Sequence, residues 1–248
     1  MSYDRIKKIF NPVEKISQMK KNFVSLSDIG QTTIMLTNRL LEFTGISETS
    51  IGVTGSQLVD LASKKSDIDI VIYGEDVCRG FYDQLANSYN LIPGIKEYSG
   101  SLLDKHLKFR WRNLINHRKI LREIERKKKL QGIFEGREFF IRLVRFPEDV
   151  DEVYGLKKYE LLEPCEITGI ITDDSDSIFS PCSYQVESLE RPNLKRLVSF
   201  RGRFTEQVSK GDSVRARGRL ERVINNKSGE SFDQLVLGES SSDYLMPF

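Results

Sequence analysis

The sequence predicts an α/β layer preceded by helices and followed by a small all-β barrel. Three observations carry this expectation. Strand-length and helix-length apolar patterns alternate between residues 48 and 150. Short alternating segments, separated by turn residues, fill residues 158–248. The acidic stretch PEDVDEVYG, residues 147–155, lies between the two textures.

Residues 1–47 read as helix. IMLTNRLLEFTG has apolar residues at helical spacing and stops at Gly45. TSIGVTG then reads as a short strand, and SQLVDLASKK as a helix of two to three turns opening on Ser56 as N-cap. DIDIVIYG is the next strand, residues 78–90 the next helix, and Pro93-Gly94 breaks the pattern. Residues 102–130 are predicted to form one long basic helix with an apolar seam of Leu107, Trp111, Leu114, Leu121 and Ile124. REFFIRLVRF, residues 137–146, is a third strand closed by Pro147. Five candidate strands follow: EPCEITGIITDD, CSYQVES, RLVSFRGRF, DSVRARGRLERV and SFDQLVLGE. Five short strands in about 90 residues point to an oligonucleotide-binding (OB)-type barrel, with another small barrel or a sandwich as the alternative.

Composition narrows the function. No run of about 18 apolar residues is present, which predicts no membrane span. The opening MSYDRIKKIF has no apolar signal core, so no secretory peptide is expected. Cys78, Cys165 and Cys182 are odd in number and far apart, and the chain has only two histidines. A disulfide framework and a Cys/His metal site are therefore disfavoured, and a cytoplasmic location is expected. The total charge is only +2, yet residues 105–130 hold eleven Lys or Arg against two Glu. That polarity speaks for an anionic partner.

The chemistry is expected in GVTGSQLVDLASKKSDIDIVIYG, residues 52–74. Alternation along a strand puts Asp67 and Asp69 on one face, about 7 Å apart, with Ile68, Ile70 and Ile72 on the other. Like charges so close repel unless a cation lies between them, and hard oxygen ligands favour Mg²⁺ or Mn²⁺. The preceding Gly55-Ser56 turn opens a predicted helix, and its free N–H groups suit a phosphate. Gly55 would let a triphosphate approach the backbone.

TGSQLVDLASKKSDIDIVIYG resembles the nucleotidyltransferase superfamily of DNA polymerase beta, poly(A) polymerases and tRNA CCA-adding enzymes. Its signature is a Gly-Ser or Gly-Gly, a gap of about ten residues, then Asp-hydrophobic-Asp on the next strand. The resemblance covers residues 48–146. It implies that Gly55 and Ser56 contact nucleotide phosphates, that Asp67 and Asp69 bind Mg²⁺, and that a nucleotide passes from a triphosphate to a hydroxyl. The family's third carboxylate lies on a later strand, often as Asp-x-Arg-hydrophobic. Here Arg142 is present, but Phe140 stands at the acid's position. Glu138, two residues earlier on the same strand face, is the candidate third ligand. Arg142 is expected to steady phosphate charge or to pair with one of the acids.

Two surfaces are expected to hold nucleic acid, RNA more than DNA. On the basic helix the candidates are Arg112, Lys119, Arg126, Lys127, Lys128 and Lys129. In the barrel, Arg201 and Arg203 on one strand and Arg215, Arg217 and Arg219 on another share outward faces. His106 and His117 have no partners in sequence, and Trp111 reads as core. Two functions remain open: a metal-dependent nucleotidyltransferase acting on a nucleic-acid end, or a protein of the same fold that binds nucleotide or nucleic acid without transfer. A barrel that recruits a protein partner is a third, weaker option.

Overall fold

The computed structural model describes residues 5–114, 117–150 and 152–248. The chain divides into two compact units, Met1–Glu97 with Lys129–Phe146 and Tyr98–Lys128 with Pro147–Phe248. The change of unit between Phe146 and Pro147 lies near the expected boundary at 150, and the N-terminal helices belong to the first unit. The basic segment 98–128 goes with the C-terminal strands.

In the first unit, α1 (Pro12–Lys21) starts where the Asn11 side chain accepts from the Val13 and Glu14 N–H groups, with proline at the first helical position. α2 (Asp28–Thr44) ends at Gly45 in the left-handed region, as the sequence predicts. Five strands follow: β1 (Ile51–Val53), β2 (Ile68–Tyr73), β3 (Ile95–Lys96), β4 (Gln131–Phe134) and β5 (Arg137–Val144), in the spatial order β1-β2-β5-β4-β3. The sheet is mixed. β2 runs parallel to β5 with Ile68 opposite Phe139, and the other pairs are antiparallel. Ile68, Ile70, Ile72, Phe139, Ile141 and Leu143 are at most 1% exposed. Burying each contributes about 1.5–3 kcal/mol of transfer free energy. α2 and α4 (Glu75–Ser88) pack on this sheet.

Two helix expectations fail here. Residues 56–65 do not make a helix of two to three turns: α3 spans only Gly55–Leu58, and Thr54, not Ser56, is its N-cap residue. Asp60 adopts φ +59°, which ends the turn, and Leu61 is 77% exposed. Without an apolar residue to bury, Ser63 and Ser66 satisfy the backbone locally instead. The predicted 102–130 helix is two helices, α5 (Gly100–Arg110) and α6 (Arg118–Lys127). They turn back on each other, which brings His106 and Trp111 to Glu125.

The second unit's strands are β6 (Lys157–Asp173), β7 (Cys182–Glu187), β8 (Leu194–Ser199), β9 (Ser213–Asn225), β10 (Ser231–Leu237) and β11 (Tyr244–Pro247). All five predicted segments overlap one, with β6 starting six residues earlier than predicted; β11 lies beyond them, as β3 and β4 lie beyond the predicted strands of the first unit. β10 pairs with β8 in parallel and with β9 antiparallel. The strand order is β10-β8-β7-β6-β9-β11, and β10 also pairs with β9, so pairings link β6-β7-β8-β10-β9 and β9 to β6, the β6–β7 link being short and irregular. Val214, Ala216, Leu220, Leu235 and Tyr184 are buried in this unit. A Cβ at Gly218 would lie 2.4 Å from the Val236 carbonyl oxygen, so only glycine lets β9 approach β10 there. The predicted strand 196–204 stops at Ser199. Its continuation forms a bend and a short 3₁₀ turn, leaving Phe200 70% exposed and Phe204 fully buried.

Candidate functional site

Asp69 is placed by β2, and its carbonyl accepts from Thr54 N–H at 2.9 Å. That bond docks the Thr54-Gly55-Ser56 turn beside the strand. Gly55 adopts φ +62°, and a Cβ there would lie 2.2 Å from Asp69 Oδ2. The Asp69 carboxylate thus rests directly over the glycine. Any other residue at position 55 would meet both a strained backbone and the acid. The turn is fastened from behind by Gln57, whose amide meets the Thr33 hydroxyl at 2.8 and 3.0 Å. Both residues are buried. They lie 24 positions apart, and no sequence signal links them.

The Asp67 charge is felt at Asp69. Burial raises the pKa of Asp69, the Asp67 charge raises it further, and Arg142 opposes both. Asp67 is exposed one residue ahead of β2. The Arg142 guanidinium is 3.9 Å from Asp69, a loose pair, and stacks over the Phe140 ring at 5.1 Å. Phe140 lies opposite Asp69 in the β2–β5 register and is 8% exposed. A phenyl ring therefore occupies the strand position beside the acid. Glu138 is exposed on the same strand. Among the described residues no three His, Cys, Asp or Glu side chains converge into a metal-sized cluster, so Glu138 does not complete a triad. Two carboxylates remain, matching a cation that arrives carrying phosphate oxygens and water as its other ligands.

α3 is too short to carry an appreciable dipole, so the phosphate argument from a helix terminus does not hold here. What the turn offers is the glycine's open approach and the half-buried Ser56 beside it.

The second unit holds a different ionisable cluster. Glu125 is fully buried, with Oε2 3.0 Å from His106 Nε2 and Oε1 accepting from the Trp111 indole at 2.9 Å and from Lys128 Nζ at 3.1 Å. Lys128 also donates to the Arg203 carbonyl at 2.7 Å and to Gln207 Oε1 at 2.9 Å. Its three protons are thereby satisfied. Burial drives the Glu125 pKa up, but Lys128, the His106 hydrogen bond and Arg110 overturn this and hold it well below the usual carboxylate range.

These contacts remove Lys128 from the expected nucleic-acid residues and give several others protein partners. Lys128 is 2% exposed and structural. Lys129 pairs with Glu97 and covers the Tyr89 ring. Arg203 donates to the Arg110 and Ser240 carbonyls and lies over Trp111 and Phe204. Arg215 and Arg219 face Glu166 and Glu239. Arg112, Lys119, Arg126, Lys127, Arg201 and Arg217 are exposed. His106, given no role from sequence, belongs to the Glu125 cluster, and Trp111 is core as expected.

No family model matches the chain, and no solved structure matches it. A protein of Methanocaldococcus jannaschii is 31% identical over 216 residues, which are 83% of this chain and 61% of that protein. That relative is uncharacterized. The chain spans about three fifths of its length. Among the described residues no helix is long and apolar enough to cross a membrane.

Proposed function

We propose that the first unit is a nucleotidyltransferase-type domain that moves a nucleotide from a nucleoside triphosphate to a hydroxyl, with a nucleic-acid end, RNA before DNA, as acceptor. One observation carries this reading: the Asp69 carboxylate lies against the Cα of Gly55, in the left-handed turn, with Asp67 beside it. Two acids held together with Arg142 as their loose neighbour invite a divalent cation and its phosphates. Mg²⁺ or Mn²⁺ bound there would neutralise the charge that develops on the triphosphate. Asp67 and Asp69 would hold it. Gly55 clears the way for the phosphates, Ser56 supplies a hydroxyl to them, and Arg142 offsets their charge from the sheet side. In the same reading the second unit's strand cycle is an OB-type barrel, since one parallel pair, β8 with β10, joins strands otherwise antiparallel in chain order.

The second reading, binding without transfer, is favoured by Phe140. It lies beside Asp69 and beneath Arg142, and Glu138 does not replace the missing acid. Incubation with labelled nucleoside triphosphates, Mg²⁺ or Mn²⁺ and mixed RNA separates the two. Incorporation that vanishes in Asp69→Asn supports transfer. Metal-dependent nucleotide binding without incorporation of any of the four nucleotides supports the second reading. Absence of metal-dependent binding removes both.

A further inference from the structure

We propose that the end of α5 and the Phe200–Arg203 segment together form a surface for single-stranded nucleic acid, with Phe109 and Phe200 as stacking platforms for bases. This rests on the reading that the chain handles nucleic acid, and it gives that partner a form and a place. The two segments are joined by Arg203, which donates to the Arg110 carbonyl at 3.2 Å while its guanidinium lies over Trp111 and Phe204. Trp111 and Phe204 themselves meet edge to face, with ring centroids 5.5 Å apart. Arg203, Trp111 and Phe204 are thereby committed to the scaffold.

Their sequence neighbours are not. Phe109 is 78% exposed and Phe200 70% exposed. Lys105, Lys108 and Arg112 lie within four residues of Phe109, and Arg201 follows Phe200; all four are exposed and have no salt bridge assigned among the described residues. The contrast with Arg118 and Arg122, both paired to Asp104, is internal to the same pair of helices. Open cations interleaved with open aromatic rings fit a strand whose bases are free to stack. A duplex hides its base faces, so it would use the cations and leave the rings idle. A purely hydrophobic protein partner would not call for four unpaired positive charges.

The test is fluorescence anisotropy with a twelve-nucleotide oligo-U RNA, its DNA counterpart and a duplex of the same length, each over a range of salt. Wild-type protein should prefer either single strand over the duplex. Phe109→Ala with Phe200→Ala should lower that affinity by at least about tenfold with an unchanged salt slope, and Tyr at both positions should restore it. Arg112→Gln with Arg201→Gln should instead flatten the salt slope by about two charges. Equal affinity for the duplex, or no loss in the Phe variants, overturns the proposal. Failure of the wild type to bind any oligonucleotide also overturns it and assigns the exposed rings to a protein partner. Magnesium-dependent nucleotide binding, measured on the same samples, reports separately on Asp67 and Asp69.

Discussion

Asp69 and Glu125 are both acids withdrawn from water, and they have opposite surroundings. Glu125 is met by an ammonium, an indole N–H and an imidazole. Asp69 is met by a second acid, a glycine and an arginine 3.9 Å away. The first arrangement leaves no valence for a visitor. The second is electrostatically incomplete, and that incompleteness is what supports the proposed cation site. Withdrawal from water alone does not distinguish architecture from site; the number of partners does.

The widest gap between the two acids should appear on substitution. Glu125→Leu leaves Lys128 buried without its counter-ion, and should destabilise the second unit by about 3–5 kcal/mol. Trp111 is the chain's single tryptophan and touches Glu125, so its fluorescence during urea unfolding reads that loss. Asp69→Asn should do the reverse in the absence of ligand. Removing an unfavourable charge should raise the melting temperature of the first unit by about 2 °C, while metal-dependent nucleotide binding disappears. A destabilised Asp69→Asn protein would mean that the acid is structural after all.

Gly55→Ala lies between these extremes. A methyl group 2.2 Å from Asp69 Oδ2, on a backbone at φ +62°, should cost about 1–3 kcal/mol and displace the acid, so nucleotide binding should fall along with stability. Acid titration should separate the two regions more finely. The folded-state pKa of Asp69 is raised, so the apo first unit binds protons more readily than its unfolded chain. Its stability should rise as pH falls from neutral towards the ordinary carboxylate range. The folded-state pKa of Glu125 is depressed, so its contribution is present above the ordinary carboxylate value. That contribution is lost as pH falls through the depressed one. The smallest effect is expected from Lys127→Ala. It should leave Trp111 unfolding unchanged and reduce the salt slope of oligonucleotide binding by about one, whereas Lys128→Ala should impair folding.

Much of this was legible because it is local. The alternation that marks β2, β5 and the strands of the second unit lies within single segments, and so does the placement of Asp67 and Asp69 after Gly55-Ser56. The rest depends on residues distant in sequence. His106 and Glu125 are 19 positions apart, and the apolar seam of residues 102–130 fits one straight helix as well as two folded ones. The burial of Lys128 inside a run of four cations could not be read from a pattern that makes all four look alike. The four-residue length of α3 was hidden for a related reason. SQLVDLASKK has acceptable helix formers, and only the open environment of Leu61 shows that no core waits for them.

The cycle of strand pairings in the second unit bears on self-association. Every strand from β6 to β10 pairs with at least two neighbours, but β6 meets β7 only between Ile170 and Asp173, so residues 157–169 are paired by β9 alone and keep one side open. In the first unit the borders of the sheet are β1 and β3, three and two residues long. Borders that short give an incoming strand little to zip onto, so the first unit's sheet resists growth into fibrous stacks.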